Sequence, residues 1–281
     1  MAQLNLAYQI ILDRLTAEMK KGIIPWKKPW VGWAPYNARS GKSYNGINVW
    51  MLALSNYSDP RWLTFKQAKE LGGSVSKGEK SMPVVFWQFL NKLQEDGTKK
   101  SIPILKWYSV FNVEQCEKLK LKGDAREVEV YPSAMAVLEK YTTCPVIEYQ
   151  NLGRACYSPK DDKITMPKQE NFSNDNGFYA TLFHEVIHST GHINRLGRKG
   201  VVDIASHNMV QYSEEELIAE MGSAFLCNVA KIEVDVTNSA SYLDGWMKYV
   251  CANPKALVHS AGKAQKAVDY ILGNNQKDGG E

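Results

Sequence analysis

The chain has 281 residues, enough for one large or two ordinary domains, and its 44% hydrophobic, 11% aromatic and 23% charged residues exclude a disordered or fibrous protein. No run of about eighteen apolar residues occurs, and the polar residues mixed into the first 21 positions exclude a signal peptide. We therefore expect a cytoplasmic protein without a membrane span. The five scattered cysteines form no C-x-x-C pair and are predicted to be reduced thiols.

Charge and aromatic residues divide the chain into two unlike parts. Residues 1–125 carry 19 Lys and Arg against 10 Asp and Glu, a balance of +9, whereas residues 126–281 carry 15 against 20, a balance of −5. Seven of the eight tryptophans also lie in the first part. We therefore predict two domains, 1–125 and 126–281, and expect the first to bind a polyanion.

The first part is predicted to be a mixed α+β unit. Apolar residues spaced three and four apart predict a helix over 4–21, and a second helix is predicted over 46–55. Thr64 is placed to cap a third helix. Segments rich in β-branched and aromatic residues predict strands over 83–90 and 105–113.

A loop rich in proline and glycine follows the first helix and combines aromatic with basic residues. Exposed rings stack on unpaired bases at about 1–3 kcal/mol each, and interleaved lysines follow the phosphates. The alternative is that each tryptophan fills the core of a small domain. Tryptophan beside Lys-Lys and proline is a poor core pattern, so the group favours binding of single-stranded nucleic acid. The predicted DNA-binding residues, with a basic turn further along, are Trp26, Lys27, Lys28, Trp30, Trp33, Tyr36, Arg39, Lys42, Tyr44, Asn45, Lys77 and Lys80.

The second part is predicted to be mainly helical with a small sheet. After a helix over 132–141, short strands are predicted over 146–149, 155–157 and 163–166. A helix from about 178 to 190 follows, capped by Ser173 or Asn176. An exposed edge strand of such a sheet can hold an extended peptide through its backbone.

That last helix carries the motif His184-Glu185-x-x-His188. The spacing of four places both histidines on one helical face with Glu185 beside them. Catalytic zinc is held by three protein ligands and keeps one open position. The motif therefore predicts two zinc ligands, with Glu185 as the general base. The alternative is a pair of surface histidines on an ordinary helix.

A third ligand must come from another segment. The longer metzincin motif would require histidine at position 194, where the chain has Asn194. Glu216 and Glu220 lie four apart on a following helix, bordered by apolar residues. We predict Glu216 as the ligand and Glu220 as the group that orients a ligating histidine. Ser213-x-x-Glu216 is also a capping box, and in that case Glu220 would be the ligand.

The sequence also allows predictions for other polar residues near the motif. Glu214 and Glu215 are expected to form a solvated first turn, favoured by the helix dipole. A donor for the oxyanion is also required. The pattern leaves four candidates open: Tyr212, His207, His192 and Arg195.

With these residues in place, the chain resembles the ArdC-type antirestriction proteins of conjugative plasmids and phages over nearly its whole length. The resemblance rests on Pro25–Trp30, Tyr44–Asn48, Val75–Lys80, Val110–Gln115, Phe183–His192, Arg195-Leu196 and Glu215–Glu220. It implies an N-terminal single-stranded-DNA-binding domain and a C-terminal zincin-like metallopeptidase domain. It also implies protection of entering single-stranded DNA from host restriction.

Three functional hypotheses follow. The first is a DNA-binding module joined to a zinc-dependent peptidase that acts on an unidentified protein met at that DNA, with the host restriction system as the candidate source. The second is a protein that coats and protects single-stranded DNA and whose metal site is structural or inactive. The third, a metal-dependent nuclease, is disfavoured because no cluster of Asp and Glu suits two hard cations.

Overall fold

The computed structural model describes residues 5–27, 34–55, 57–93, 99–121, 123, 133–151, 153–202, 209–233 and 240–274. Internal contacts divide the chain into two compact units. The first unit is Met1–Lys21 with Ala34–Glu127, and the second is Gly22–Trp33 with Val128–Glu281. The fold is α+β in two parts, as predicted, but Gly22–Trp33, predicted within the first domain, belongs to the second unit.

The first unit contains three helices and six strands within its described residues. The helices are α1 (Leu6–Met19), α2 (Ile47–Ala53) and α3 (Phe65–Glu70). The strands are β1 (Tyr36–Asn37), β2 (Arg61–Leu63), β3 (Ser74–Val75), β4 (Met82–Leu93), β5 (Lys99–Asn112) and β6 (Cys116–Glu117). One sheet has the order β1-β2-β5-β4, and β3 pairs with β6 in a second sheet.

The predicted caps and strands of the first unit are confirmed and extended. Thr64 caps α3, because its hydroxyl accepts the amide proton of Gln67 while the Gln67 side chain accepts that of Thr64. Strands β4 and β5 are longer than predicted and pair from Met82–Val110 to Leu93–Lys99. The inner part of this pair is buried, as at Val84 and Val110. We call the outer part, residues 86–93 and 99–107, the ribbon.

The second unit is mainly helical, as predicted. A 3₁₀ turn (Pro25–Lys27) precedes the helices α4 (Ala134–Lys140), α5 (Asp175–Ser189), α6 (Lys199–Val202), α7 (Met209–Val229), α8 (Ala240–Ala252) and α9 (Ala256–Leu272). The strands β7 (Val146–Gln150), β8 (Cys156–Ser158) and β9 (Lys163–Pro167) confirm the predicted small sheet. Its order is β7-β9-β8, with β7 parallel and β8 antiparallel to β9. Among the described residues, no helix has the length and apolar composition needed to cross a membrane.

Helices α5 and α7 pack closely and form the centre of the second unit. The cap of α5 is Asn174, whose side chain accepts the amide proton of Gly177 at 2.8 Å, so neither predicted cap is correct. Gly222 on α7 faces Ile187 on α5, and a Cβ at this glycine would lie 2.7 Å from the Ile187 Cδ1 atom. The missing side chain thus permits the close approach that brings the polar residues of both helices together.

Candidate metal centre

Three side chains from α5 and α7 converge on one point. His184 and His188 lie one turn apart on α5, and their Nε2 atoms are 3.1 Å from each other. Glu216 on α7 places Oε2 3.4 Å from His184 Nε2 and Oε1 3.5 Å from His188 Nε2. These three form a cluster with the composition and spacing of a metal site.

The geometry of the cluster suits a divalent cation. Zinc bound at about 2.0–2.2 Å by nitrogen and oxygen in a tetrahedron has ligand atoms about 3.3–3.5 Å apart. The separations from Glu216 to the two histidines, 3.4 and 3.5 Å, agree with that value, and the His184–His188 separation of 3.1 Å is slightly shorter. Two imidazoles and one carboxylate leave a fourth position, as catalytic zinc requires.

A second glutamate of α7 holds His188 from the other side of its ring. Glu215 Oε1 lies 3.2 Å from His188 Nδ1, and its side chain is only 5% exposed. A carboxylate there accepts the Nδ1 proton, so Nε2 keeps its lone pair and points toward Glu216. The prediction of a solvated Glu215 is therefore wrong. Glu215 lies three, four and seven residues before the buried Ile218, Ala219 and Gly222. This helical spacing is the sequence pattern that could have predicted the burial of Glu215.

Arg198 fixes Glu215 in turn and was missed by the sequence reasoning. Its Nη2 and Nε atoms donate to the two carboxylate oxygens of Glu215 at 2.7 and 2.9 Å. Further donations reach Thr190 Oγ1 at 2.6 Å and the carbonyl oxygen of Ile187 at 2.7 Å. Both members of this ion pair are buried. A chain of contacts thus runs from the end of α5 through Arg198 and Glu215 to a predicted metal ligand.

The two carboxylates set the protonation of the cluster. Burial lowers the pKa of His188, but hydrogen bonds to Glu215 and Glu216 outweigh it and raise the pKa to about 9. Burial raises the pKa of Glu216, and the two histidines then lower it well below its ordinary value. The cluster therefore attracts positive charge, which a proton or a metal ion can supply.

Glu220 does not occupy either of its predicted positions. Its Oε1 accepts a hydrogen bond from the Tyr242 hydroxyl at 2.6 Å, and its Oε2 lies 3.9 Å from the Lys27 ammonium. One helical turn displaces it about 6 Å along α7 from Glu216. The role of orienting a histidine belongs instead to Glu215, which α7 turns toward Arg198.

The capping-box alternative for Glu216 is also wrong. Helix α7 begins at Met209, so Ser213 lies within the helix and cannot cap it. The Glu216 carboxylate faces both histidines instead of its own helix start.

The cluster opens into a cleft of about 380 Å³. The cleft is lined by His184, Glu185, His188 and Glu216, and also by Cys156 and Tyr157 of β8. Glu185 is buried, with 8% of its surface exposed. A carboxylate that borders both the metal cluster and the cleft has the position of a general base.

Arg195 is not available as an oxyanion donor. Its guanidinium pairs with Asp162 and donates to the Tyr157 hydroxyl at 3.1 Å and to the Ser189 carbonyl at 2.7 Å. His192 accepts the Asn194 amide proton at Nδ1 over 3.3 Å. His207 and the side chain of Tyr212 lie outside the described part of the chain.

The predicted DNA-binding residues fall into four groups. Trp26, Tyr36 and Tyr44 are buried at 1%, 7% and 9% exposure, and Trp26 packs edge-on against Trp246. These rings cannot stack on bases in this structure, which corrects their assignment. Lys27 faces the Tyr242 ring and Glu220 within the second unit.

The remaining members of the set stay predictions. Arg39, Lys42, Asn45, Lys77 and Lys80 are exposed in the first unit. Arg39 also forms an ion pair with Glu70 at 2.5 Å, and its side chain remains exposed. Lys28, Trp30 and Trp33 lie outside the described residues.

Replacing Glu215 by glutamine should weaken divalent-metal binding about 10- to 100-fold, because the charged partner of His188 Nδ1 is removed. Titration of metal-free protein with Zn²⁺ against a competing chelator measures this change. Glu214→Gln is the matched control, since Glu214 lies one residue away and pairs with Lys263 at the surface. Equal affinities for both variants would show that Glu215 does not orient the histidine.

Comparison with known families matches both halves of the chain. Residues 5–111 match the N-terminal domain of anti-restriction factor ArdC. Residues 139–263 match a zincin-like metallopeptidase. The second match contains the whole metal cluster, Glu185 and the β8 strand.

Solved structures match over nearly the full chain. The metal-free structure of the antirestriction protein ArdC from plasmid R388 is 36% identical, with a TM-score of 0.77, and the match covers 98% of this chain and 100% of that one. The Mn(II)-bound structure of the same protein gives 34% identity and a TM-score of 0.76 over the same coverage.

Two Escherichia coli proteins named DNA primase TraC are 32% and 30% identical over 96% of this chain. The chain spans only 20% and 27% of their lengths. The full-length match to ArdC, in contrast, leaves no part of that protein uncovered. The chain therefore belongs to the ArdC family of antirestriction proteins, with an ArdC N-terminal domain followed by a zincin-like metallopeptidase domain.

Proposed function

We propose that this protein binds single-stranded DNA through its first unit and hydrolyses peptide bonds at a zinc site in its second. The proposed ligands are His184, His188 and Glu216, and the proposed protein substrate is met at the DNA, with the host restriction system as the candidate source. Membership of the ArdC family supports the antirestriction role. A single observation carries the enzymatic part: Glu185 lies beside three convergent ligands at an open cleft.

The choice of zinc rests on the donor set. Imidazole suits zinc, and at a site of given N and O ligands zinc binds more tightly than manganese. The Mn(II)-bound structure belongs to the R388 protein. When bound, zinc would polarise the scissile carbonyl and lower the pKa of a water molecule to about 7.

The residues of the chain then perform the proton transfers. Glu185 accepts a proton from the attacking water and donates it to the leaving amine. Glu215 holds His188 in the tautomer that presents Nε2 to the metal. Arg198 keeps the Glu215 carboxylate ionised and fixed in orientation.

The proposed substrate is a peptide because of the strand beside the site. Within the described residues, β8 lies at one edge of its sheet, and Cys156 and Tyr157 line the cleft that contains the metal cluster. The unpaired backbone groups of an edge strand can hold an extended chain by hydrogen bonds. A peptide in that position would present its carbonyl groups to the metal site.

Glu185→Gln should abolish proteolysis while leaving metal binding intact, because glutamine cannot act as a base. We expect a loss of about 100- to 10,000-fold in the cleavage rate. Zinc-loaded protein would be incubated with unfolded casein, with and without single-stranded DNA, and cleavage followed on gels. Glu139→Gln, an exposed substitution on α4, is the control.

Two outcomes would replace this proposal. Absence of casein cleavage by wild type, together with equal antirestriction by wild type and Glu185→Gln, would favour a protein that protects DNA by coating it. Zinc- or magnesium-dependent cutting of single-stranded DNA would instead show a nuclease.

A further inference from the structure

The ribbon exposes a cluster of large apolar side chains in the first unit. Four aromatic residues there are strongly exposed: Phe86 at 43%, Trp87 at 40%, Phe89 at 65% and Trp107 at 41%. Leu90 and Ile102 are also exposed. Single exposed apolar residues are ordinary, but a contiguous group on one element indicates a binding surface.

The strand register places three of these rings on one face. Trp87 pairs with Leu105, Phe89 with Pro103, and Val85 with Trp107. Paired and alternate residues share a face, so Trp87, Phe89 and Trp107 project to the same side. Alternate residues of a strand lie about 6.8 Å apart, twice the 3.4 Å rise of stacked bases, which leaves room for a base beside each ring.

The charge of the ribbon is entirely positive. Strands β4 and β5 contain four lysines and no acidic residue. Lys106 pairs with Phe86 across the strands, and Lys100 pairs with Lys92 nearer the end of the ribbon. The side chains of Lys100 and Lys106 are exposed. Both lysines stand at the alternate positions of β5, so they project to the face opposite Trp87, Phe89 and Trp107. Exposed rings on a ribbon whose strands carry lysines and no acidic residue match a strand of unpaired bases, which needs stacking surfaces and a positive potential.

We propose that this ribbon is the surface that holds single-stranded DNA, with bases stacked on Trp87, Phe89 and Trp107 and the phosphate backbone attracted by the positive charge of Lys100 and Lys106 on the opposite face. The inference rests on the proposed DNA-binding function and names its site. Because Trp26, Tyr36 and Tyr44 are buried, bases cannot stack on them, and the exposed rings of the ribbon take over this role in the proposal. Stacking on exposed rings does not depend on base identity, so binding is expected to tolerate any sequence.

Fluorescence anisotropy of a labelled oligothymidine of about 15 nucleotides tests the proposal on the full chain. Trp87→Ala and Trp107→Ala should each weaken binding about tenfold, and the double variant about a hundredfold. Trp87→Phe keeps a ring and should retain most of the affinity. Phe65→Ala is the control, because Phe65 is an aromatic residue of the same unit with 48% exposure, on α3. It should bind like wild type.

The lysines provide a second measurement that does not require aromatic substitutions. The double variant Lys100→Gln/Lys106→Gln should make the slope of log affinity against log salt less steep by at most about 1.4, since each phosphate neutralised on a single strand contributes about 0.7. Thermal melting of each variant checks that the fold is retained.

The outcomes separate this inference from the proposed function. If wild type fails to bind the oligonucleotide, the DNA-binding function itself is wrong. If wild type binds with a strong salt dependence and the ribbon variants bind equally well, the function stands and the ribbon is not its site. If the ribbon-dependent binding is tighter for an oligouridine RNA, RNA would replace DNA as the occupant. If the ribbon variants lose self-association in place of DNA binding, the occupant would be a second copy of the chain.

Discussion

Glu216→Ala is expected to abolish stable metal binding, reducing the affinity for Zn²⁺ by more than about 100-fold. The reason is geometric: Glu216 is the one carboxylate within 3.5 Å of both histidine Nε2 atoms among the described residues. Its removal leaves two imidazoles on one helix. Loss of a ligand should exceed the 10- to 100-fold effect of losing an outer hydrogen-bond partner. Chelator competition on metal-free protein measures the change for Zn²⁺ and Mn²⁺.

Glu220→Ala is the matched control for this experiment. It removes the same side chain one turn further along α7, where the carboxylate bonds to Tyr242 instead of facing the histidines. We expect its metal affinity to stay within about twofold of wild type, since substitutions outside a site have small effects. The reverse pattern, with metal lost in Glu220→Ala and kept in Glu216→Ala, would exchange the two assignments.

Arg198→Met is expected to lower the free energy of unfolding by about 3–5 kcal/mol. Methionine retains much of the volume but leaves the Glu215 carboxylate buried without its guanidinium partner. Denaturant unfolding in the presence of a chelator measures this loss without a contribution from bound metal. Lys263→Met, which breaks the exposed pair with Glu214, should cost at most about 1 kcal/mol.

The pH dependence of this variant gives an independent check. Burial raises the pKa of Glu215, but hydrogen bonds from His188 and Arg198 lower it below its ordinary value of 4.5. A lowered folded-state pKa stabilises the protein above pH 4.5, and that stabilisation is lost as the pH falls through the folded-state value. The difference between wild type and Arg198→Met should therefore shrink in acid. A difference independent of pH would indicate lost packing instead of an unpaired charge.

Local pattern was sufficient for most of the secondary structure and for half of the metal cluster. The two histidines share one helix, so their spacing of four alone places them together. The strands of the second unit and the cap of α3 likewise follow from neighbouring residues. The start of α5 was missed because the four adjacent polar residues 173–176 can all cap a helix, and only backbone geometry selects Asn174.

The glutamates of α7 illustrate the limit of prediction from local sequence pattern. Residues 214, 215, 216 and 220 are chemically alike, and their roles depend on how α7 is rotated against α5. The contact of Gly222 with Ile187 fixes that rotation, which directs Glu216 to the histidines and Glu215 to Arg198. Arg198 lies ten residues beyond His188, in a segment outside the helices. No periodic pattern in the sequence indicates that this segment folds back against α5.

The aromatic residues of the first part of the chain illustrate the same limit. Composition indicated a basic, tryptophan-rich region, but not which rings are exposed. Trp26 is in the core of the second unit, whereas Trp87 and Trp107 are on the surface of the ribbon.

The sequence by itself determined the α+β class, the division into a basic and an acidic part, and the histidine pair with its adjacent base, because each depends on composition or on spacing within one element. Only the tertiary structure decided the third ligand, its charged neighbours and the exposed rings. Those assignments depend on contacts between segments far apart in the chain, and the residue periodicity of either segment does not predict such contacts.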